Sequence, residues 1–381
     1  MFIYFFSFFL LFVSIFIKQS QYKEYLACTL CFLCIFLCFG YMTGTDWRNY
    51  ETIYEKIDLD RLFFDYHHEP GFYVYLLLFK YLDIDFFNVL VFTKVLCFIA
   101  VFSTILNYAK EYKYIAMMYF VPWYGFYLFI DNPLRNLIAI SIFLCALPHL
   151  LNRKFLPYLL LSLLAMSFHI TAFIAIPIYF FLTKKINSIC WILLFIIFNL
   201  VFADRNFIMM LISKLFGSIP YIEGKIENYF ELTNEFAKGR VLSLGMIVHT
   251  TFFVLLIRYR ALFDSDKKMV VIFNSAIIYL LFYRLATTIE VLSRFQLYFA
   301  IFFAIAIATL VLAFTERSKT IYISMLLGLC VIAASNKIFA DYRYIPYTNY
   351  LAYVLKGDFP SFAYRSAYNM NNSPYKGNTD E

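Results

Sequence analysis

A small set of ionisable side chains interrupts the long apolar runs of this sequence, and the types of these residues could support chemistry. An ionisable group inside or at the edge of a membrane is costly unless it is paired or hydrated, so each one is a candidate functional residue. The set comprises Asp46, Arg48, Glu69, Arg135, His169, Arg240, Arg284, Glu290 and Arg294.

Arg135 has the clearest electrostatic signature of this set. It follows Asp131, Asn132 and Pro133, so the sequence predicts its guanidinium in the first turn of a helix. A cation at that end opposes the helix dipole, which favours negative charge there. Because the position is poor for Arg unless an anion lies close by, we predict an anion-binding role for Arg135.

His169 and Asp46 are candidates for proton transfer. His169 stands in an apolar run between Ser167 and Thr171. It is either a hydrogen-bonded packing residue or a general base for a hydroxyl, since its pKa normally lies close to neutrality. Asp46 opens a loop with Trp47 and Arg48, a tripeptide that is either a membrane-interface anchor with a local ion pair or a functional group.

Two further arginines flank a short segment near the C-terminal third of the chain. Arg284 and Arg294 lie on either side of Glu290. The two cations would face one cavity, unless their long side chains extend toward the membrane surface. Lys94 is a weaker candidate, and we expect its side chain to extend outward in that way.

Glu69 follows two histidines, but the spacing does not favour a metal site. His67, His68 and Glu69 are consecutive and lack the i, i+4 arrangement of a helical metal site. Pro70 indicates a helix start, with Glu69 as its acidic cap. The sequence has no phosphate-binding glycine loop, HExxH or GxSxG motif, so it predicts neither a metal nor another cofactor.

The elements that must position these residues are membrane helices. Hydrophobic residues make up 63% of the 381 residues and charged residues only 15%, against roughly 25% in soluble domains. Apolar runs recur from Met1 to Phe339, and each crossing needs about 20 residues. The sequence therefore predicts an all-α polytopic bundle of about 10–12 membrane segments that fills residues 1–339. The net charge is +7. In a membrane protein, an excess of Lys and Arg usually lies in the cytoplasmic loops, so this charge does not predict a nucleic acid partner.

Ten apolar runs are candidate crossings and two more are ambiguous. The ten are 1–17, 25–42, 86–109, 114–130, 134–150, 189–203, 241–257, 269–288, 294–314 and 320–339. The first lacks a preceding cation and a following cleavage site, so we expect a retained helix and not a signal peptide. Residues 70–82 are short for a crossing, and residues 155–182 are long for one helix and short for two.

Positive charge orients these segments. With the N-terminus outside, Lys and Arg concentrate in the inner connections, and the outer loops are 43–85 and 204–240. Cations also flank both ends of residues 155–182, so this segment enters and leaves from the inner side as a helical hairpin with His169 near its tip. One long tilted helix is the alternative. Residues 340–381 form an outer polar tail, whose last residues, from Asn371, are expected to be disordered.

Several short motifs, in order along the chain, resemble the EpsG family of bacterial surface-polysaccharide polymerases. They are GTDWRNY at 44–50, EPGF at 69–72, RNLIA at 135–139, SFHITA at 167–172, LSRF at 292–295 and PY at 346–347. One departure is Met42-Thr43 before the first motif, where relatives often carry Arg or Val.

The resemblance implies an all-helical glycosyltransferase related to the Wzy polymerases of capsule, O-antigen and exopolysaccharide pathways. Such an enzyme uses polyprenyl-diphosphate-linked oligosaccharides within membrane lipid, at the outer face of the bacterial cytoplasmic membrane. A flippase and a chain-length regulator of the same pathway are its expected partners.

Residue roles follow from that resemblance and from the charges. Arg135, Arg284 and Arg294 would bind the diphosphate, and His169 or Asp46 would take the acceptor proton. Glu69 would orient sugar hydroxyls, with Arg48, Arg240 and Glu290 as further substrate-binding residues. The tail and the 204–240 loop would contact glycan.

Three alternative functions use related features. A ligase would share the diphosphate pocket and attach finished glycan to another acceptor. A lipid-linked oligosaccharide flippase needs a cationic cavity open to both faces, whereas the candidate charges collect on one face. An acyltransferase needs His with Asp or Glu on an inner path, and the predicted inner loops contain no His.

Overall fold

The computed structural model of the chain describes residues 1–16, 22–58, 69–131, 133–216, 243–289 and 292–374. Five helical segments in these ranges are long and apolar enough to cross a membrane: Phe86–Asp131, Leu134–Leu151, Lys267–Thr288, Ser293–Ala313 and Glu316–Ala340. The predicted all-α polytopic bundle is therefore confirmed. Its number of crossings and its orientation stay predictions.

The chain forms two compact units, and the first combines residues 1–179 with residues 311–381. Its helices are Phe2–Val13 (α1), Tyr22–Cys38 (α2), Asp46–Lys56 (α3), Pro70–Tyr81 (α4), Phe86–Ala109 (α5), Lys113–Phe120 (α6), Leu134–Leu151 (α7), Phe155–Phe168 (α8) and Ala175–Ile178 (α9). A π-helix, Val121–Asp131, continues α6, and the backbone turns between α5 and α6 at Lys110, which has a φ of 50°. The run Phe86–Asp131 thus covers both segments that were predicted as crossings, 86–109 and 114–130, and they form separate helices.

The second unit contains residues 180–310. Its helices are Ser188–Val201 (α10), Arg205–Phe216 (α11), Leu244–Arg258 (α12), Lys267–Thr288 (α13) and Ser293–Thr309 (α14). Helices α13 and α14 pack along most of their length. Beside them, the His249 ring stacks on Tyr283 at 3.5 Å, and its Nδ1 lies 2.7 Å from the Gly245 carbonyl oxygen. This histidine packs as a satisfied core residue.

Residues 155–182 form the predicted hairpin. Helix α8 ends at Phe168, His169 is extended, and a 3-10 helix, Ile170–Ile174, leads into α9. The chain returns to the start of α8, because Tyr158 Oη donates to the Ala175 carbonyl at 2.7 Å and Arg153 Nη1 to the Tyr179 carbonyl at 2.9 Å. One long tilted helix is therefore wrong for this segment.

The C-terminal segment, from residue 311 onward, belongs to the first unit. It contains Glu316–Ala340 (α15), Tyr350–Lys356 (α16) and Phe362–Asn372 (α17). Two-residue strands Gly40–Tyr41 (β1) and Thr348–Asn349 (β2) pair in antiparallel fashion, with Gly40 opposite Asn349. Asn371 and Asn372, which were expected to be disordered, close α17, whereas residues 375–381 lie outside the described ranges.

Tyr4 shows how tightly the first unit holds its N-terminal helix. Its ring is fully buried and meets Phe36, Phe126 and Tyr344 in edge-on contacts. Its hydroxyl donates to the Tyr344 carbonyl at 2.7 Å. Because a buried phenol needs a partner, this hydrogen bond fixes α1 against the segment after α15.

Candidate functional site

The starts of two helices and the tip of the hairpin meet at one partly buried ion pair. Oε2 of Glu69, just before α4, accepts a hydrogen bond from Nη1 of Arg135, in the first turn of α7, at 2.5 Å. Oε1 of the same carboxylate accepts from the backbone N–H of Ile170 at 3.2 Å. The side chains of Glu69 and Arg135 are 10% and 16% exposed. Glu69, Arg135 and His169 are called the hairpin-tip site below.

Proline sets the direction of the chain at Glu69. Pro70 is the first residue of α4, and Glu69 before it is extended, with φ −66° and ψ 136°. Proline disfavours helical backbone in the preceding residue, so Glu69 cannot extend the helix backward. The predicted helix start is confirmed. The predicted capping role of the Glu69 side chain is wrong, because its carboxylate bonds Arg135 and Ile170 and not the amides of α4.

A glycine lets α4 approach the hairpin closely. A Cβ at Gly71 would lie 2.2 Å from Oγ and 2.7 Å from the carbonyl oxygen of Ser167. Any larger residue would push the start of α4 away from the hairpin tip. This contact explains the Glu-Pro-Gly sequence: Pro70 starts the helix, and Gly71 brings Glu69 within reach of Ile170.

His169 is buried, and its hydrogen bonds define its tautomer. The side chain is 4% exposed. Nδ1 accepts from the backbone N–H of Thr171 at 3.3 Å, and the Thr171 hydroxyl lies 2.7 Å from the same nitrogen. A nitrogen that accepts an N–H carries no proton, so the ring hydrogen of neutral His169 is on Nε2. Nε2 is then a donor, and this geometry favours His169 as a hydrogen-bond donor over the predicted base.

Glu69 is held in its ionised form. Burial opposes ionisation, but the Arg135 guanidinium, His169 and backbone N–H groups outweigh it, so the pKa of Glu69 lies below its ordinary value. An ionised carboxylate at the start of α7 supplies negative charge that the helix dipole favours. The anion that the sequence predicted beside Arg135 is thus, in part, Glu69 itself.

Arg135 keeps hydrogen-bonding capacity after pairing with Glu69. Its side chain also bonds Tyr50 of α3, whereas its buried Nε has no hydrogen-bond partner among the described residues. Asn136 is 1% exposed, and neither its amide nitrogen nor its amide oxygen has a partner there. Buried polar groups are rarely left unpaired. The first turn of α7 therefore holds buried polar groups that the described residues leave unsatisfied.

Tyr50 and Asn136 were not anticipated from the sequence. Asn136 is a polar residue in an otherwise apolar helix next to Arg135, and that adjacency was a usable signal. Tyr50 gave none, because the sequence contains 33 tyrosines.

The GTDWRNY segment lies beside this site but packs as part of the protein. Trp47 is 1% exposed, so the membrane-interface anchor is wrong for its ring. Arg48 is half-buried, with its guanidinium carbon 5.9 Å from the Trp47 ring centre. Asp46 begins α3 one turn before Tyr50, which places both residues on one face of the helix.

A second arginine, Arg343, forms a cluster that contacts the start of the GTDWRNY segment. Arg343 bonds Asp131 through Nη1 at 2.8 Å, and bonds Asp341 through Nε at 2.9 Å and Nη2 at 2.5 Å. Its carbonyl oxygen accepts from the Gly44 N–H at 2.9 Å. Gly44 has a φ of 76°, and a Cβ there would lie 2.4 Å from the Ile130 carbonyl oxygen. Arg343, Asp131 and Asp341 are called the Arg343 cluster below.

The remaining candidates from the sequence are four residues between positions 240 and 294. Arg284 lies in α13, 5% exposed, with its Nε unpartnered among the described residues, and Arg294 is the second residue of α14. Arg240 and Glu290 lie outside the described residues. Their substrate-binding roles stay predictions.

Lys94 does not extend outward as expected. Its side chain is fully buried in the first unit, and its Nζ has no hydrogen-bond partner among the described residues. The expectation considered only the length of the side chain and not the helices that pack around α5.

Comparison with known proteins agrees with the motif pattern. A model of the EpsG family matches residues 24–349, a range that includes the hairpin-tip site and the Arg343 cluster. Neither a curated protein nor a solved structure matches the chain. Because the family match covers most of its length, this multi-pass helical protein belongs to the EpsG family, which acts in surface-polysaccharide biosynthesis.

Proposed function

We propose that the protein polymerises lipid-linked oligosaccharide repeat units into a surface polysaccharide, at the outer face of the bacterial cytoplasmic membrane. The donor is a growing glycan on polyprenyl diphosphate, and the acceptor is a sugar hydroxyl on a second lipid-linked repeat unit. The observation that carries this proposal is the incompletely paired Arg135 beside Asn136, at a helix start suited to anions.

The chemistry needs stabilisation of a leaving diphosphate. The acceptor oxygen forms a bond to the anomeric carbon while the bond from that carbon to the diphosphate oxygen breaks. The electron pair of the broken bond stays on the diphosphate, and the hydroxyl proton passes to a base. Fixed donors in a shielded site stabilise such charge because they need no reorganisation during the reaction.

The first unit supplies donors of the required kind. Arg135 presents its guanidinium from α7, and charge-assisted hydrogen bonds to phosphate are strong. His169 supplies a second donor through Nε2, and Asn136 a third. Glu69 orients Arg135 and the hairpin tip through its two carboxylate oxygens.

Asp46 is the proposed base. His169 is poorly suited to that role because Nδ1 already accepts hydrogen bonds from Thr171. Asp46 lies one helical turn from Tyr50, which bonds Arg135. A carboxylate there can accept the hydroxyl proton as the new bond forms.

Reconstitution tests the proposed reaction. The purified protein is incubated in lipid vesicles with a defined polyprenyl-diphosphate oligosaccharide, and the products are resolved by size. We expect a ladder that increases by whole repeat units, with release of polyprenyl diphosphate. Transfer of glycan to a different acceptor without a ladder would instead establish a ligase, and movement of intact substrate across the vesicle without transfer would establish a flippase.

A further inference from the structure

The C-terminal helix α17 lies beyond the range that the family model matches, which ends at residue 349. Its buried residues are polar, because Arg365 and Asn369 are 9% and 1% exposed. Its apolar residues Tyr364 and Met370 are 54% and 47% exposed. Arg365 and Asn369 are four positions apart, so they lie on one face of the helix. Polar contacts, more than hydrophobic packing, therefore hold α17 against the first unit.

Arg365 places a guanidinium among aromatic rings. Its Nη2 donates to Oε1 of Glu51 in α3 at 2.7 Å, and both side chains are buried. Its guanidinium carbon lies 5.0 Å from the ring centre of Phe87, 5.7 Å from that of Trp47 and 5.9 Å from that of Tyr41. The electron-rich faces of aromatic rings attract a cation. Arg365 therefore connects α17 to α3, to the start of α5 and to β1.

The pair of Arg365 with Glu51 contributes direction more than stability. Burial raises the pKa of Glu51 although the Arg365 guanidinium lies beside it. The folded protein thus disfavours ionised Glu51, and a buried pair of this kind adds little net stability. A hydrogen bond between a guanidinium and a carboxylate is directional, however, and it fixes how the two helices face each other.

Asn369 forms a second contact from the same face of α17. Its Nδ2 donates to the Arg343 carbonyl oxygen at 2.8 Å. The same oxygen accepts from the N–H of Gly44, which lies two residues before α3. Helix α17 therefore bonds both α3 and the residue whose carbonyl holds the turn before α3.

Helix α3 carries two residues that the proposed reaction uses. Asp46, the proposed base, is its first residue, and Tyr50, which bonds Arg135, lies one turn later. Glu51 follows Tyr50 directly in the same helix, so a movement of Glu51 also moves Tyr50.

We propose that α17 positions α3 for glycan transfer and that Arg365 is a positioning residue, an inference that rests on the proposed polymerase function. Arg365 acts through Glu51 and the Trp47 ring, and it does not touch the substrate. A displacement of about 1 Å at a reacting group can lower a rate about 100-fold. The order of α3 therefore matters more for the reaction than for the stability of the fold.

Hydrogen exchange tests the position of α3 without requiring catalysis. The double variant Glu51→Gln/Arg365→Met removes both charges together, so it leaves neither of them buried without its partner. The matched control is Arg317→Met, which changes an exposed arginine near the start of α15. We expect the amides of α3 to exchange at least about tenfold faster in the double variant. The amides of α13, and all amides of the control, should exchange as in the unmodified protein.

Equal exchange of α3 in the double variant and the control would overturn the proposal. If the double variant unfolds at a lower temperature than the unmodified protein, Asn369→Leu provides the same test. It removes the donor to the Arg343 carbonyl, which keeps its bond from Gly44. This variant should also speed exchange of α3, by about threefold, and exchange equal to that of the control would again overturn the proposal.

Kinetics of the reconstituted protein test the consequence for the reaction. The double variant should lower kcat at least about tenfold and leave the KM for the acceptor within about twofold, since it changes geometry and not binding. Arg365→Lys keeps a cation over the rings and should have a higher kcat than the double variant. A kcat of the double variant within about twofold of the unmodified value would overturn the positioning role.

The outcomes separate the two proposals. Faster exchange of α3 in the double variant, together with no ladder from the unmodified protein, supports the contact of α17 with α3 and contradicts the polymerase. A ladder from the unmodified protein, together with an equal kcat and equal exchange in the double variant, does the reverse.

Discussion

Arg343 and Arg135 both pair with carboxylates in the first unit, but they differ in how many of their guanidinium nitrogens are bonded. In the Arg343 cluster, Nε, Nη1 and Nη2 all donate to Asp131 or Asp341. In the hairpin-tip site, Arg135 pairs with one carboxylate and leaves Nε without a partner among the described residues. All three guanidinium nitrogens of Arg343 donate to carboxylates of the fold, whereas Arg135 retains a nitrogen that the described residues leave unpaired.

The surroundings of the two arginines reinforce the difference. Arg343 joins the C-terminal segment to the Gly44 turn, and Asn369 of α17 donates to the Arg343 carbonyl at 2.8 Å. Arg135 lies beside Asn136, whose amide is also unpaired. From this contrast we propose that Arg343 stabilises the fold and that Arg135 serves binding and catalysis.

The largest expected effect comes from Arg135→Lys. Lysine keeps the charge but loses the planar fork that bonds two phosphate oxygens at once. We expect polymer formation by the reconstituted protein to fall at least about 100-fold, because a fixed donor to the leaving group is lost. Arg153→Lys, at the base of the hairpin, is the matched control and should remain active. Normal chain length from Arg135→Lys at equal protein level would remove Arg135 from the site.

Variants of His169 distinguish hydrogen-bond donation to the diphosphate from general base catalysis. His169→Phe removes both ring nitrogens, and we expect a loss of roughly 100-fold in kcat. His169→Gln keeps an N–H donor, so it should recover about tenfold of that loss if Nε2 donates to the diphosphate. Equally low kcat values for Phe and Gln, with a pH profile that loses its acidic limb, would instead support the base.

Glu69 sets a pH dependence in the acidic range. Its pKa is lowered in the folded protein, so its contribution to stability is present above the ordinary glutamate pKa and is lost as pH falls through the lowered value. At neutral pH, Glu69→Gln should lower the free energy of unfolding by about 1–3 kcal/mol, and the unfolding temperature with it. Below the ordinary glutamate pKa, the stability of the variant should fall less steeply with pH than that of the unmodified protein. We expect about a tenfold loss of polymer, because Arg135 is less well oriented. Parallel unfolding curves for the two proteins across this range would contradict the pairing.

The smallest effect on catalysis is expected from Arg343→Lys. Lysine cannot reproduce the bonds to both aspartates, so stability should fall by about 1–2 kcal/mol. Activity per folded molecule should stay within about twofold, since Arg343 does not touch the reacting groups. A loss of activity comparable to that of Arg135→Lys, without a lower unfolding temperature, would erase the distinction between the two arginines.

Helices could be predicted from the sequence because their signal is local. Apolar runs near the length of a bilayer identified α5, α7, α13, α14 and α15. The hairpin followed from cations at both ends of a segment that was too short for two crossings. Both signals depend only on residues that are close together in the sequence.

Pairings between distant residues could not be predicted in this way. Arg135 and Glu69 are separated by 66 positions, Arg343 and Asp131 by 212, and Arg365 and Glu51 by 314. Candidate charged residues can be identified from the sequence because an ionisable side chain in a membrane has a high free energy. Which carboxylate pairs with which arginine depends on how the helices pack. The tail was expected to be a polar extension for the same reason, since the partners of Arg343 and Arg365 lie in other parts of the chain.

The most direct measurement is the affinity of the purified protein for a polyprenyl diphosphate that carries no sugar. Titration into the unmodified protein, Arg135→Lys and Arg343→Lys compares the two arginines without requiring catalysis. We predict that Arg135→Lys weakens binding at least about tenfold and that Arg343→Lys binds within about twofold of the unmodified protein. Equal affinity in all three proteins would contradict the assignment of Arg135 as the diphosphate ligand.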